Sequence, residues 1–174
     1  MNKKQFISFY QKNIDKLFRF FYLRVNNEKY AEDLVSLAFL KLWERTQQVN
    51  NSPVRNPVAF LYQTARHLLV DFYRRKASDP LSLDQLMEES GLQIPHSGFA
   101  RSIENKLEIV RVKNSLQRIK PLYADVIIWH YLNDLSVNQI AKILNKREGT
   151  VRVLLHRALK VLRKELERQD KKDK

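Results

Sequence analysis

The chain has 174 residues, of which 44% are hydrophobic and 29% charged, enough for one medium or two small folded domains. Its 32 Lys and Arg against 19 Asp and Glu give a net charge of +13, which favours a polyanion such as nucleic acid as the partner. The lack of cysteine excludes disulfides, thiolate metal sites and thiol nucleophiles. No apolar run approaches the ~18 residues of a membrane span and the N-terminus has no signal-peptide core, so we expect a cytoplasmic protein with no membrane contact.

The first half of the chain has the apolar periodicity of three helices. The first helix is predicted over about Lys4–Val25. The second begins after the pair Asn26–Asn27, whose side chains are typical of helix N-caps. The third begins at Asn56–Pro57, a cap followed by proline at the first helical position, and ends near Ala77. No sustained alternation of Val, Ile and Thr predicts a sheet anywhere in the sequence.

Residues 78–104 differ in composition from the chain on either side. They hold two of the three Gly and two of the five Pro, and residues 77–105 carry one basic and five acidic side chains. Both flanks are basic, with 14 bases against 6 acids in residues 1–76 and 17 against 8 in residues 106–174. We therefore predict an all-α protein of two small helical domains at 1–77 and 105–168, joined by an extended acidic linker at 78–104 and followed by a frayed tail at 169–174.

Four further helices are predicted after the linker. The first runs over about 102–119, and the second from Pro121 through residue 132. The third starts at Ser136, where Gln139 completes a capping box. A short break at 145–147 separates it from a long basic helix.

The segment from residue 136 onward has the spacing of a helix-turn-helix. Ala141 is the small residue at the helix crossing, and Asn145, four positions later, suits a left-handed turn. Val151 then seats the second helix. Apolar packing is predicted from Ile140, Leu144 and Leu154.

The long basic helix is amphipathic. Its predicted core face consists of Val151, Leu154, Leu155, Ala158, Leu159 and Leu162. Its predicted exposed face consists of Arg152, Val153, His156, Arg157, Lys160, Arg163 and Lys164. A solvated basic helix in an ordinary bundle is the alternative, but the complete turn pattern favours DNA, with base edges read near the helix N-terminus and phosphates contacted further along.

Nothing in the sequence indicates an enzyme. The four histidines, His67, His96, His130 and His156, lie on different segments without metal-ligand spacing. Phosphate-loop, nucleophile-elbow and dinucleotide motifs are absent. We therefore predict no catalysis, no cofactor, no metal and no small-molecule substrate.

Three segments of the chain resemble one family. The run AEDLVSLAFLKLWE, followed by NPVAFLYQTARHLLVDFYRRKA and then by EGTVRVLLHRALKVLRK, is similar to the bacterial RNA polymerase sigma factors of the extracytoplasmic-function class of the sigma-70 family. The resemblance covers nearly the whole chain, in the right order and at the right spacing. It implies a region 2 bundle of three to four helices, a region 4 helix-turn-helix, and promoter-specific initiation by a dissociable polymerase subunit.

The resemblance implies that the second helix binds the clamp of the largest polymerase subunit. The residues at the matching positions are Asp33, Leu34, Ser36, Leu37, Phe39, Leu40, Leu42 and Trp43. Ser36 and Leu37 stand where family members usually carry Gln and Glu, which implies an altered contact. Trp43 is equally well interpreted as a core aromatic.

The resemblance also implies that the third helix and the loop before it recognise and help open the minus-ten element. The matching residues are Asn50, Asn51, Arg55, Arg66, His67, Asp71, Arg74 and Arg75. The loop would hold an unstacked base, with cations near the single strand. Because family members usually carry Asn where this chain has His67, and Trp where it has Phe60, we expect an altered minus-ten preference.

Minus-thirty-five contacts are implied for the helix-turn-helix. They fall on Lys146, Arg147, Thr150, Arg152, Val153, His156, Arg157 and Lys160. The implied partners are core polymerase, through its clamp and the flap of the second subunit, double- and single-stranded promoter DNA, and an anti-sigma factor. Composition alone favours a solvated tether for the linker. The resemblance instead favours a linker that threads the active-site and RNA-exit channels of the polymerase, as it does in the family.

Two other functions remain as alternatives. A sigma-like DNA-binding regulator that does not drive initiation is favoured only by the departure at Ser36 and Leu37. A helical adaptor that binds only proteins conflicts with the net charge and with the basic helix.

Overall fold

The computed structural model describes residues 1–47, 54–78 and 106–170, with residues 106–110 and 170 described by their backbone alone. The chain divides into two compact units, Met1–Ser97 and Gly98–Lys174. In the part described, all regular secondary structure is helical and no strand occurs, as the sequence predicts. The structure does not describe residues 79–104 of the predicted linker, the start of the helix predicted from residue 102, Asn50, Asn51 or most of the predicted tail.

The first unit contains three helices: α1 (Lys3–Val25), α2 (Glu28–Gln47) and α3 (Pro57–Ser78). Each helix contacts the other two. Asn56 caps α3, because its side-chain oxygen accepts from the Ala59 N–H at 3.0 Å. Of the predicted cap pair, only Asn27 caps α2, accepting from Tyr30 N–H at 3.0 Å. Asn26 instead ends α1 in a left-handed conformation, with φ 58°.

The core of the first unit lies where the apolar stripes of the three helices meet. Its largest fully buried side chains are Tyr62, Phe20, Phe21, Leu17, Leu42, Leu61 and Val35. Burying each of these contributes about 1.5–3 kcal/mol relative to exposure, so this packing is the main source of stability. The apolar side of α1 divides along its length: Leu17, Phe20 and Phe21 are buried, whereas Phe6, Phe9 and Tyr10 are half-buried.

The second unit contains α4 (Lys106–Arg118), α5 (Pro121–Ile127), α6 (Val137–Leu144) and α7 (Glu148–Asp170). The long α7 contacts the other three. Ser136 forms the predicted capping box with Gln139, through bonds of 3.2 and 2.8 Å. Asn145 has the predicted left-handed conformation, with φ 50°.

The C-terminal end of α5 continues as a π-helical turn over Ile128–Leu132, which the sequence did not predict. The Asn133 N–H donates to the Ile128 carbonyl five residues back, at 2.9 Å. His130 bonds through Nδ1 to the Leu135 carbonyl at 2.8 Å, which ties the turn to the loop after it. Trp129 is fully buried by this turn. It therefore contributes the largest side chain of this unit's core.

The predicted core face of α7 is largely confirmed. Val151, Leu155 and Ala158 are buried, and Leu154 and Leu162 are half-buried. The prediction for Leu159 is wrong, because 39% of this residue is exposed. It lies about 100° around the helix from Ala158, beyond the edge of the stripe that α4, α5 and α6 cover.

Candidate nucleic-acid interface

The exposed side of α2 presents two leucines. Leu37 is 37% exposed and Leu40 is 42% exposed, on adjacent turns. Leu34, Phe39 and Leu42, which the sequence placed on the same contact surface, are buried in the core. In the free chain α2 turns this stripe towards the other two helices of its unit, so contact of these three residues with a partner stays a prediction.

The remaining predicted polymerase contacts are half-buried: Asp33, Ser36 and Trp43. The Ser36 hydroxyl donates to the Glu32 carbonyl of its own helix at 3.1 Å. The Trp43 ring lies 4.9 Å from the Phe6 ring, edge to face, so α1 covers part of it. Trp43 thus packs within the unit and still reaches its surface.

An aromatic cluster extends from Trp43 along α1. Tyr10 lies against Phe39, with 4.6 Å between the ring centroids. Burial raises the pKa of the Tyr10 hydroxyl above its ordinary value, so this group is neutral at physiological pH. The cluster adds no charge to the surface of α2.

The third helix presents charged side chains along one face. His67, Arg74 and Arg75 are exposed, and Arg66 is half-buried. Asp71 accepts from Arg74 Nη2 at 2.9 Å, one turn along the same face. Arg55, just before the helix, is also exposed. The structure brings these predicted minus-ten residues to one side of α3 and its preceding turn.

A groove of about 380 Å³ lies between α2 and α3. Two predicted residues, His67 and Asp71, line it. Its other lining residues, which the sequence did not single out, are Lys41, Glu44, Arg45, Phe60, Thr64 and Leu68. The groove therefore combines an apolar wall with both signs of charge, an arrangement suited to a planar polar group such as a nucleobase.

Sequence reasoning also missed Val70. It is 64% exposed on α3, the most exposed of the large apolar residues that the structure describes. Val70 follows His67 by three positions, so it lies on the same face. That spacing was available in the sequence, but an isolated apolar residue gives no sign of its exposure.

The predicted minus-thirty-five residues come together on α7 and the turn before it. All eight are exposed: Lys146, Arg147, Thr150, Arg152, Val153, His156, Arg157 and Lys160. Asn145 is the left-handed residue of the turn, and the Lys146 N–H donates back to the Ala141 carbonyl at 2.9 Å. On the opposite, core-facing side of α7, Val151 and Ala158 are both 0% exposed and fix the helix in the unit. A fixed helix thus presents a basic, solvent-facing surface, as reading of a DNA groove requires.

An acidic residue that the sequence did not single out lies at the start of this surface. Glu148 accepts from Asn138 Nδ2 of α6 at 2.8 Å and from Arg152 Nη2 of α7 at 3.0 Å. The four-residue spacing between Glu148 and Arg152 predicts an ion pair on a helix. The bond to Asn138 joins two helices and has no such local signal.

Within the described ranges, no group of three or more His, Asp and Glu side chains is arranged to hold a metal ion. In that same part of the chain, no helix combines the length and the hydropathy needed to cross a bilayer.

Two family models match the chain. Residues 9–78 match sigma-70 region 2, and residues 109–162 match sigma-70 region 4. The first range contains α2 and α3, and the second contains α5, α6 and the part of α7 up to residue 162.

The chain is similar to curated proteins and to solved structures of sigma factors. It is 27% identical to the ECF RNA polymerase sigma factor SigW of Bacillus subtilis, over 87% of this chain and 83% of SigW. It is 26% identical to the ECF RNA polymerase sigma factor BldN of Streptomyces coelicolor, over 88% of this chain and 57% of BldN. A structure of the sigma factor RpoE with the anti-sigma factor NepR, from Bartonella quintana, matches with a TM-score of 0.67 and 20% identity, over 94% of this chain and 98% of that one.

The order of the two matched regions and the names of the similar proteins agree with the two helical units. This chain belongs to the sigma-70 family of bacterial RNA polymerase sigma factors, in the extracytoplasmic-function class.

Proposed function

We propose that this sigma factor binds core RNA polymerase and directs initiation at promoters through separate minus-ten and minus-thirty-five surfaces. The single observation that carries this assignment is the exposed basic face of α7, seated by a buried face behind it. Its position after the left-handed turn at Asn145 is that of a recognition helix. We propose the domain boundaries as 1–77 and 105–168, with residues 78–104 as the acidic linker between them.

The polymerase contact is assigned to the exposed side of α2. Leu37 and Leu40 are the apolar residues available there, and Trp43 contributes the uncovered part of its ring. Leu37 stands where the family usually carries Glu, so burial of apolar area replaces a charged contact in this chain. Asp33 and Ser36 lie at the edge of this surface.

The minus-ten contact is assigned to α3, the preceding turn and the groove between α2 and α3. Arg55, Arg74 and Arg75 lie free of the core and would contact the backbone of the separated strand. His67 and Asp71 line a groove that offers an unstacked base both donors and acceptors. We extend this proposal to Asn50, Asn51 and Arg66, whose roles rest on the family resemblance.

The minus-thirty-five contact is assigned to α7 in the major groove. Arg152, His156 and Arg157 would reach base edges, and Val153 would pack against a thymine methyl group. Phosphates would be contacted by Thr150 and Lys160, and by the basic side chains of Lys146 and Arg147 in the turn before α7.

We also propose an anti-sigma partner, and contact with the polymerase flap through the second unit. The support for the former is the Bartonella structure, in which a sigma factor is bound by the anti-sigma factor NepR. The net charge of +13 favours an acidic surface on such a partner.

A DNA-binding regulator that cannot drive initiation remains the second candidate. The departure from the family at Ser36 and Leu37 is the observation that favours it. The exposure of Leu37 beside Leu40 weighs against it, since two apolar side chains on adjacent turns suit a protein contact.

Strand opening separates the two candidates. Fragments of the source genome would be incubated with core polymerase, with this protein, and with both, and single-stranded thymines would be mapped by permanganate. A sigma factor produces reactive thymines only when both proteins are present. DNA binding by this protein without any opening in the presence of core polymerase would favour the regulator.

A further inference from the structure

Glu148 is bonded in two directions at the start of α7. Asn138 Nδ2 donates to its Oε1 at 2.8 Å, and Arg152 Nη2 donates to its Oε2 at 3.0 Å. Both carboxylate oxygens are therefore used, one towards the preceding helix and one towards the recognition helix. The side chains of Glu148 and Arg152 are 40% and 64% exposed, so this pair lies on the solvent-facing surface.

A carboxylate in this position opposes DNA binding on charge alone. It lies between Arg147 and Arg152 on a surface that must approach phosphates, and like charges repel. The helix dipole favours an acid in the first turn, but it does not account for the bonds of Glu148 to Asn138 and Arg152. The geometry of Glu148 indicates a role in orienting its basic neighbour.

The bond to Glu148 restricts the flexible side chain of Arg152 but leaves it able to contact a base. A free arginine side chain carries about 2 kcal/mol of rotamer entropy, part of which is lost whenever it contacts DNA. Glu148 engages the guanidinium at Nη2, one N–H bond among the five donors. Four donors thus remain, and two of them can form the fork that guanine N7 and O6 accept in the major groove.

We propose that Glu148, itself held by Asn138, is a positioning residue that presents Arg152 to one base of the minus-thirty-five element. The base preference at that position then depends on residue 138, which lies on the preceding helix. This inference rests on the proposed function, and specifically on a base contact by Arg152.

The test is base selection by the full chain assembled with core RNA polymerase. The probe is a pool of randomised duplex DNA, and selected sequences are counted for the wild type, four test variants and one control variant. Asn138→Ala removes the donor that holds Glu148, and Glu148→Gln weakens the charged bond to Arg152. Arg152→Ala and the double variant of Asn138→Ala with Arg152→Ala complete a cycle. Asn114→Ala, the same change at an exposed position of α4, is the matched control.

The wild type is expected to select a motif in which the base preference at one position is lost in Arg152→Ala. Asn138→Ala and Glu148→Gln should lower the preference at that same position by about two- to fivefold, the range for an exposed charge-assisted contact. Other positions and the salt dependence of binding should be unchanged, because no phosphate contact is removed. In the Arg152→Ala background, Asn138→Ala should have no further effect.

Three results would overturn the positioning role. If Asn138→Ala weakens binding to all DNA sequences alike, the bond from Asn138 to Glu148 only stabilises the packing of α6 against α7. A reduction of equal size with and without Arg152 would show that residue 138 acts by another route. If the wild type selects a motif and Arg152→Ala leaves that motif unchanged, Arg152 contacts no base. A wild type that selects no motif would instead overturn the proposed function.

Discussion

Replacement of Leu37 and Leu40 by alanine together should weaken binding to core RNA polymerase by about five- to thirtyfold. Full burial of a leucine side chain contributes about 1.5–3 kcal/mol. Here 37% and 42% of the two residues remain to be buried by a partner. Their combined contribution is therefore about 1–2 kcal/mol, and each 1.4 kcal/mol changes the dissociation constant tenfold.

The assay is equilibrium capture of core polymerase by labelled protein in the absence of DNA. Because both leucines are exposed, the double variant should keep its stability within about 0.5 kcal/mol of the wild type. Val70→Ala is the matched control, since it removes an apolar side chain that is 64% exposed on another helix of the same unit. This control should bind core polymerase as the wild type does.

A double variant that binds core polymerase within twofold of the wild type would refute the assignment of this surface. The same holds if Val70→Ala weakens binding as much as the double variant, since the effect would then not be specific to α2. A replacement of Trp43 is a poorer test, because Phe6 packs against its ring and the variant would also lose stability.

Three further predictions concern the buried face of α2, a cap, and the recognition helix. Phe39→Ala should lower the free energy of unfolding of the first unit by about 3–5 kcal/mol in urea titrations, because the ring is buried; a folded, stable variant that fails to bind polymerase would instead make it a contact residue. Ser136→Ala should lower the stability of the second unit by about 1 kcal/mol in thermal unfolding, and Ser136→Thr, which keeps the hydroxyl, should lower it less; equal losses would contradict the cap. Lys160→Ala should weaken holoenzyme binding to all promoter sequences alike and reduce the log–log salt slope by about one, whereas a change in base preference would make Lys160 a base contact.

The helix starts could be predicted from the sequence because their signals are local. Asn56 and Ser136 bond to backbone groups three residues away, and the bonds are those that their spacing predicts. The turn of the helix-turn-helix is equally local, since Asn145 tolerates a left-handed conformation that most residues resist.

The sequence was sufficient to propose a polymerase surface on α2, but not to say which face of the helix would be exposed for it. Leucine and phenylalanine occur on both sides of this helix, and periodicity does not tell which apolar stripe is covered by α1 and α3. Burial of Leu34 and Leu42 and exposure of Leu40 depend on how the three helices pack. The same limit explains Leu159, which lies at the edge of the covered stripe of α7.

Two features depend on contacts that sequence spacing does not reveal. The π-helical turn is set by bonds of His130 and Asn133 to backbone carbonyls at its ends. The bond between Asn138 and Glu148 requires a particular angle between α6 and α7. The sequence around these four residues has no spacing pattern that would predict either set of bonds.

The most direct test of the central claim is reconstituted transcription. Core polymerase from the source organism would transcribe a library of its genomic fragments with and without this protein, and the 5′ ends of the transcripts would be mapped. A sigma factor predicts new start sites that share two upstream elements at a constant spacing, with the upstream element altered by Arg152→Ala. Starts identical to those of core polymerase alone, from a protein that binds both core polymerase and DNA, would contradict the account.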